Sequence, residues 1–198
     1  MTRIRPDDAG VALIVTLLAM ALMMALGMAL VLPTMTESRI ASAYRDGTAA
    51  LYAADAAIER SLRDVLVAAD VSRVLDGTLR STFVDGQAGG ARALPGGGTI
   101  DLTEETDAVR EVNPLWQLYA QGPIADLRPG ELNDVRIYVA VWVADGALDP
   151  ADGAVISMLA HAYGPGGVRR AVEARVARTE IAAGAPSAVH ILSWRERR

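Results

Sequence analysis

The sequence predicts an α+β protein: one long N-terminal helix, membrane-like in its first half and amphipathic in its second, packed on a small antiparallel sheet. Three observations carry this. Residues 11–32 form an apolar run without a single charged side chain. The stretch that follows keeps a helical spacing of apolar residues. From about residue 132 onward the pattern changes to the two-residue alternation of strands.

The apolar run comes first. As a helix its 22 residues extend about 33 Å at ~1.5 Å per residue, enough for a hydrocarbon core of ~30 Å. Arg3 and Arg5 precede it, which places the N-terminus on the cytoplasmic side by the positive-inside rule and the rest of the chain outside. A secretory signal peptide has a shorter hydrophobic core of about 7–15 residues, although Ala25-Leu26-Gly27 offers a small-x-small cleavage pattern. A permanent single-pass anchor is satisfied by the same residues.

The run does not end in a linker. Apolar residues recur at Ile40, Tyr44, Leu51, Ala54, Ile58, Leu62, Val65, Leu66 and Ala69, while Glu37, Arg39, Arg45, Asp46, Asp55, Glu59, Arg60, Arg63 and Asp64 take the other sides. This spacing extends the helix to about Ala69, with Pro33 expected to kink it and Gly47 to loosen it.

Beyond Asp70 the helical signal fades. A short helix and a glycine-rich loop are expected over 71–98, where Gly96-Gly97-Gly98 lacks the lysine and hydroxyl residue of a phosphate loop and reads as a turn. Residues 111–131 read as irregular, with Trp116 and Tyr119 packing under the sheet. Val135, Ile137, Val139, Val141 and Val143 alternate with Arg136, Tyr138, Ala140 and Trp142. Two more strands are joined by Gly164-Pro165-Gly166-Gly167, a hairpin turn, and "AVHILSWRE" is a last strand. In the third strand Val172, Ala174, Val176 and Arg178 alternate with Ala171, Glu173, Arg175 and Ala177. That predicts a meander of three or four strands with one wet face.

Composition narrows the function classes. All 19 basic side chains are arginine, which removes lysine-based phosphate binding, Schiff-base chemistry and lysine general bases. There is no cysteine, hence no disulfide, thiol nucleophile, lipobox acylation or cysteine zinc site. His161 and His190 are isolated in sequence and read as structural residues on strands. A net charge of -5 leaves no basic footprint for nucleic acid, despite a mean hydropathy of +0.24 that sits mostly in the first run. No catalytic residue and no cofactor is expected. Asp145, Asp149 and Asp152 supply oxygen ligands that calcium could use, but their spacing misses the EF-hand pattern and Asp, Gly and Pro are ordinary turn residues.

A short basic leader ending at Gly10, an apolar helix, Pro33 near its exit and an amphipathic continuation together resemble the type IV pilin class. The wording "GVALIVTLLAMALMMALGMALVLPTMTESRIASAYRDGTAALYAADAAIERSL" is similar to PilX-type pilus assembly proteins. Within it "LYAADAAIE" looks like that family's "AAEAA" stretch, and the closing "HILSWRERR" also resembles the end of such proteins. The resemblance covers residues 9–63. It implies a type IV pilin-like fold, cleavage by a prepilin peptidase after Gly10, and an N-methylated Val11 as mature terminus. A signal peptidase would discard the hydrophobic segment, whereas this cut keeps it.

Most pilins carry a glutamate at the fifth mature position, and here that position is Val15. The K-type pseudopilins of type II secretion systems share this lack and resemble tip subunits. The resemblance thus implies a non-enzymatic minor pilin that takes part in initiation or at the tip of the fibre. Its expected partners are other minor pilins, the major pilin, the prepilin peptidase, the assembly platform and, before assembly, the inner membrane. The domain would be periplasmic, and extracellular once in the pilus. The expected organisation is a leader at 1–10, a transmembrane and fibre-packing helix at 11–32, its amphipathic continuation at 33–69 and a globular domain at 70–198. The alternatives are a single-pass anchor displaying a periplasmic binding domain and a K-type pseudopilin-like subunit. Removing residues 1–34 should leave a soluble domain.

Overall fold

The computed structural model describes residues 6–127, 135–146, 154–179 and 188–197. The chain divides into two units, Met1–Tyr44 and Arg45–Arg198, and the boundary falls within one helix, α1 (Pro6–Val67).

In the first unit α1 presents its large apolar side chains to the outside, among them Val11, Leu18, Met23, Leu30 and Leu32. Pro33 lies inside the helix, where the ring removes one backbone donor. Thr34 and Thr36 donate their hydroxyls to the carbonyls of Leu30 and Leu32, at 3.0 and 3.1 Å. The hydroxyls are thereby satisfied without water in an apolar stretch. Ile40 and Tyr44, expected on the packed face, are 65% and 77% exposed. The packed face starts later.

It starts in the second unit, where α1 buries Gly47, Ala50, Ala53, Ala54, Ala57, Ile58, Ser61, Leu62 and Val65. The helix runs on through Gly47, whose Cβ position faces the Arg170 guanidinium. Six of these nine residues are glycine, alanine or serine, so the helix backbone lies close to the sheet and only Ile58, Leu62 and Val65 reach in as large side chains. Each of these contributes about 1.5–3 kcal/mol by leaving water. Arg178 donates to the carbonyl of Ala68 at 3.0 Å, so a strand residue satisfies the helix C-terminus, which has no basic residue of its own in the last turn.

Then follow the single-turn α2 (Ser72–Leu75), a hairpin of β1 (Ala91–Ala93) and β2 (Thr99–Asp101), α3 (Leu102–Val112) and β3 (Gln117–Pro123). The remaining strands are β4 (Tyr138–Asp145), β5 (Ala154–Tyr163), β6 (Arg169–Thr179) and β7 (Ala188–Arg197). Strands β3 to β7 form one antiparallel meander in sequence order.

Two expectations are corrected here. The segment read as irregular contains β3, an outer strand of the sheet, so the sheet has five strands rather than three or four. The second face is not simply wet. One face carries Val139, Val141, Ile156, Met158, Val172 and Val176 against α1, while the other buries Tyr138, Trp142 and Leu159 together with Leu102 and Val109 of α3. Trp116 and Tyr119 are both buried but on opposite faces.

Helix α3 has a clear local cause. Asp101 in extended conformation accepts hydrogen bonds from the backbone of Thr103 (2.8 Å) and Glu104 (3.4 Å), an N-cap, and Glu104 and Glu105 suit the positive end of the helix. It stops at Asn113, just before Pro114. Leu102, Thr106 and Val109 face inward at i, i+4 and i+7.

The triple glycine behaves as the turn it was read to be: Gly97 and Gly98 have φ of 96° and 90°. At Gly96 a Cβ would lie 2.8 Å from the Pro165 backbone nitrogen, so glycine is required for the β1–β2 turn to approach the Pro165–Gly167 turn. That second turn joins β5 to β6, as expected.

Candidate functional site

Each unit carries one candidate site. In the first, Gly10 and Val11 lie within α1, exposed, and apart from its chain neighbours and the adjoining helix backbone nothing comes within 4 Å of the position a Gly10 Cβ would take. Val15 is 58% exposed. Among the described residues, one helical stretch, Gly10–Val67, is long and apolar enough to cross a membrane; its most apolar window has a mean hydropathy of 2.5 and none of it is buried. An uncovered apolar surface of this length needs lipid or other helices around it.

In the second unit a polar cluster is buried where α3 meets the sheet. Glu105 of α3 accepts from the Tyr163 hydroxyl at 2.8 Å and from Arg169 Nη2 at 2.9 Å. Arg169 Nη2 also lies 2.8 Å from His161 Nδ1. A guanidinium can only donate, so Nδ1 is the acceptor and the ring is neutral with its proton on Nε2. The Glu105 carboxylate, 3.6 Å from the same Nδ1, is beyond hydrogen-bond distance. His161 also packs edge-on against Trp142, with ring centroids 4.8 Å apart, and Trp142 donates Nε1–H to Thr106 at 3.0 Å.

The electrostatics follow from these contacts. Burial pushes His161 below the usual histidine range, and the Arg169 charge adds to it. Glu105 is held below the usual carboxylate range by its contact with His161 whenever that ring is protonated, and by the Tyr163 hydroxyl and the Arg169 charge throughout, against the opposing effect of burial. Burial and the Glu105 charge push Tyr163 well up. The group is therefore a Glu–Arg–Tyr–His knot with a neutral imidazole. It pins α3 to β5 and β6.

His161 thus has the structural role read for it, with partners that its sequence neighbourhood did not show: Glu105 lies far away in the chain. His190 is exposed on β7. Of the proposed calcium ligands only Asp145 is described, at the end of β4; Asp149 and Asp152 lie outside the described residues. Among the described residues no group of three or more His, Asp or Glu could hold a metal ion. Sequence reasoning missed Glu105 and Arg169, and also Trp194, whose Nε1–H donates to Asp55 of α1 at 2.8 Å. The signal for α3, Asp101 followed three residues later by Glu104, was legible as a helix start.

A long apolar helix followed by a small antiparallel sheet is an α+β layout consistent with the type IV pilin-like fold. Residues 9–59 match the family model described as PilX N-terminal. The match supports a PilX-like, type IV pilus-related N-terminal segment, and the apolar helix within it fits a single-pass membrane anchor. Comparison with curated proteins and with solved structures gave no match.

Proposed function

We propose that this chain is a minor pilin of a type IV pilus or related system that acts at initiation or at the tip of the fibre. The observation that carries the proposal is Val15, an exposed apolar side chain within the PilX-like segment, at the position where most pilins place glutamate. A carboxylate at bilayer depth costs about 2.5–3.5 kcal/mol unless paired. In the family it is understood to pair with a neighbour's terminal amine. A subunit with no neighbour above it has no such partner, and valine then costs less.

In this reading a prepilin peptidase cuts after Gly10 on the cytoplasmic side, Val11 becomes the terminus, and the apolar helix serves first as inner-membrane anchor and then as packing surface in the fibre. The amphipathic half of α1 carries the domain into the periplasm.

Intact mass of the protein from its native host tests the processing: the expected terminus is Val11, and one near Met28 would restore a signal peptide. Subunit counting in purified fibres tests the position. Low abundance is expected, with a severe loss of fibre number on deletion, and an even distribution as the dominant subunit would exclude the tip. Val15→Glu is expected to be neutral or harmful.

A further inference from the structure

The two outer strands of the sheet end differently. On β3 the edge is taken: Ser81 and Asp85 donate backbone N–H to the carbonyls of Tyr119 and Gln121 at 3.1 and 2.8 Å, and Gln121 donates to Phe83 at 3.2 Å. On β7 only the side towards β6 is paired. Among the described residues no backbone hydrogen bond reaches the other side of Ala188–Arg197. A row of backbone donors and acceptors left open in this way is a template for one more strand.

The side chains along that edge are apolar. Residues 189–193 contain no proline, lysine, arginine or acid, the residues that commonly guard an edge. Ile191 and Trp194 lie opposite Val176 and Ala174, hence on the face that α1 covers further in, yet they are 61% and 36% exposed. Leu192 falls where the β6–β7 register slips, has no residue opposite it on β6, and is 55% exposed. Trp194 is already fixed by its hydrogen bond to Asp55, so little side-chain freedom is lost when a neighbour packs on it.

A second copy of this chain does not fit there. Arg170 lies against Gly47 and Arg178 against Ala68, so β6 runs with α1 and β7 runs against it. Pairing β7 antiparallel with its own copy makes a two-fold dimer. The ends of α1 that lead into the apolar stretch would then lie at opposite ends of the joined sheet, and both could not enter one membrane. Pairing the two copies parallel would set their Arg195- and Arg197-bearing ends side by side, where like charges repel. In a copy turned the same way, the edge that meets β7 is the one Ser81–Asp85 already covers.

We propose that the outer edge of β7 receives an extended strand from a different subunit of the assembly, one that is apolar where it meets Ile191 and Trp194 and carries no basic side chain beside Arg195 and Arg197. Both subunits share one membrane on the pilin reading given above, on which this edge assignment rests. Main-chain hydrogen bonds would hold the added strand, and Ile191, Leu192 and Trp194 would select it.

Amide hydrogen exchange reads backbone pairing directly. The full chain in detergent micelles is mixed in turn with each other pilin-like chain of its host, and exchange is followed by mass spectrometry in peptides from β7 and β3. One of these chains is expected to slow exchange in β7 at least about ten-fold and to leave β3 unchanged. The double variant Ile191→Lys, Leu192→Lys is expected to lose that protection and to keep the urea midpoint of the wild type, because both side chains are exposed. Two results would overturn the proposal: no protection of β7 by any of the chains, or equal protection in the double variant. Protection of β7 in the chain alone as its concentration rises would make the occupant a second copy and overturn it as well. Fibre number in a deletion strain reads the pilin assignment separately. Unchanged fibre number with β7 still protected would overturn the tip reading and not the edge; loss of fibres with β7 unprotected would overturn the edge alone.

Discussion

Residues 11–32 and 47–65 belong to the same helix, both are dominated by apolar side chains, and they are built from different ones. The first stretch uses leucine, methionine and valine around its whole circumference, and its large side chains are more than half exposed. The second uses alanine on one face, with Ala50, Ala54 and Ala57 almost fully buried against the sheet. Large side chains suit a surrounding that adapts its shape, such as lipid or other helices. Small ones suit a rigid sheet, because they let the helix backbone come close and allow a few larger residues to interlock. Apolar content alone does not distinguish the two roles; side-chain size and one-sidedness do.

Placing a charge in each stretch breaks the comparison most sharply. Ile58→Asp buries an unpaired carboxylate between α1 and the sheet and is expected to cost more than about 4 kcal/mol, enough to abolish cooperative unfolding of the second unit. Leu22→Asp in the exposed stretch is expected to leave that unfolding unchanged and to reduce membrane retention instead, at about 2.5–3.5 kcal/mol. Urea denaturation followed by circular dichroism, alongside membrane fractionation, separates the two. A loss of domain stability from Leu22→Asp would contradict the division.

A size change sharpens it. Ala57→Leu adds volume at the tight contact with the sheet and is expected to destabilise the domain by about 1–3 kcal/mol. Ala25→Leu, in the first stretch, should change the urea midpoint by nothing measurable.

The smallest effect lies in pH. His161 is depressed below its ordinary 6.5, so the unfolded chain binds the proton first. The stability from the neutral ring is complete above about pH 6.5 and declines as pH falls towards the lower folded value. Glu105 is depressed below its ordinary 4.5, so its contribution holds above that pH and is lost as pH falls through its folded value. Acid unfolding is therefore expected in two successive windows. His161→Gln should remove the upper one and Glu105→Gln should shrink the lower one, to which Asp70 and Asp76, also held below the usual range by hydrogen bonds from Ser72 and Thr78, contribute, as read from the denaturation midpoint at each pH. If the upper window persisted in His161→Gln, the neutral imidazole would be the wrong assignment.

Much of the architecture was legible without coordinates. The uncharged run, the helical continuation, the alternation through Val139–Val141–Val143, the Gly164 to Gly167 turn and the last strand all correspond to α1 and β4 to β7. Strand β3 was hidden because "QLYAQGP" has a proline and a glycine and buries both its faces, leaving no alternation to detect. Gly122 is there because a Cβ would meet the Phe83 ring at 3.1 Å, a contact between distant segments. The helix face was read as starting at Ile40, since periodicity marks which side of a helix is apolar but not where a sheet begins to cover it.

The sequence by itself determined the chemistry that depends on neighbours along the chain: a span long enough for a membrane, helical and strand periodicities, turns, and the absence of lysine and cysteine that excludes whole reaction classes. Only the tertiary structure decided what depends on neighbours in space. Glu105, His161, Tyr163 and Arg169 become one knot only once α3 lies across β5 and β6. Electrostatic and packing energies fall off with distance through space, so residues far apart in the chain acquire their roles when folding brings them within a few ångströms.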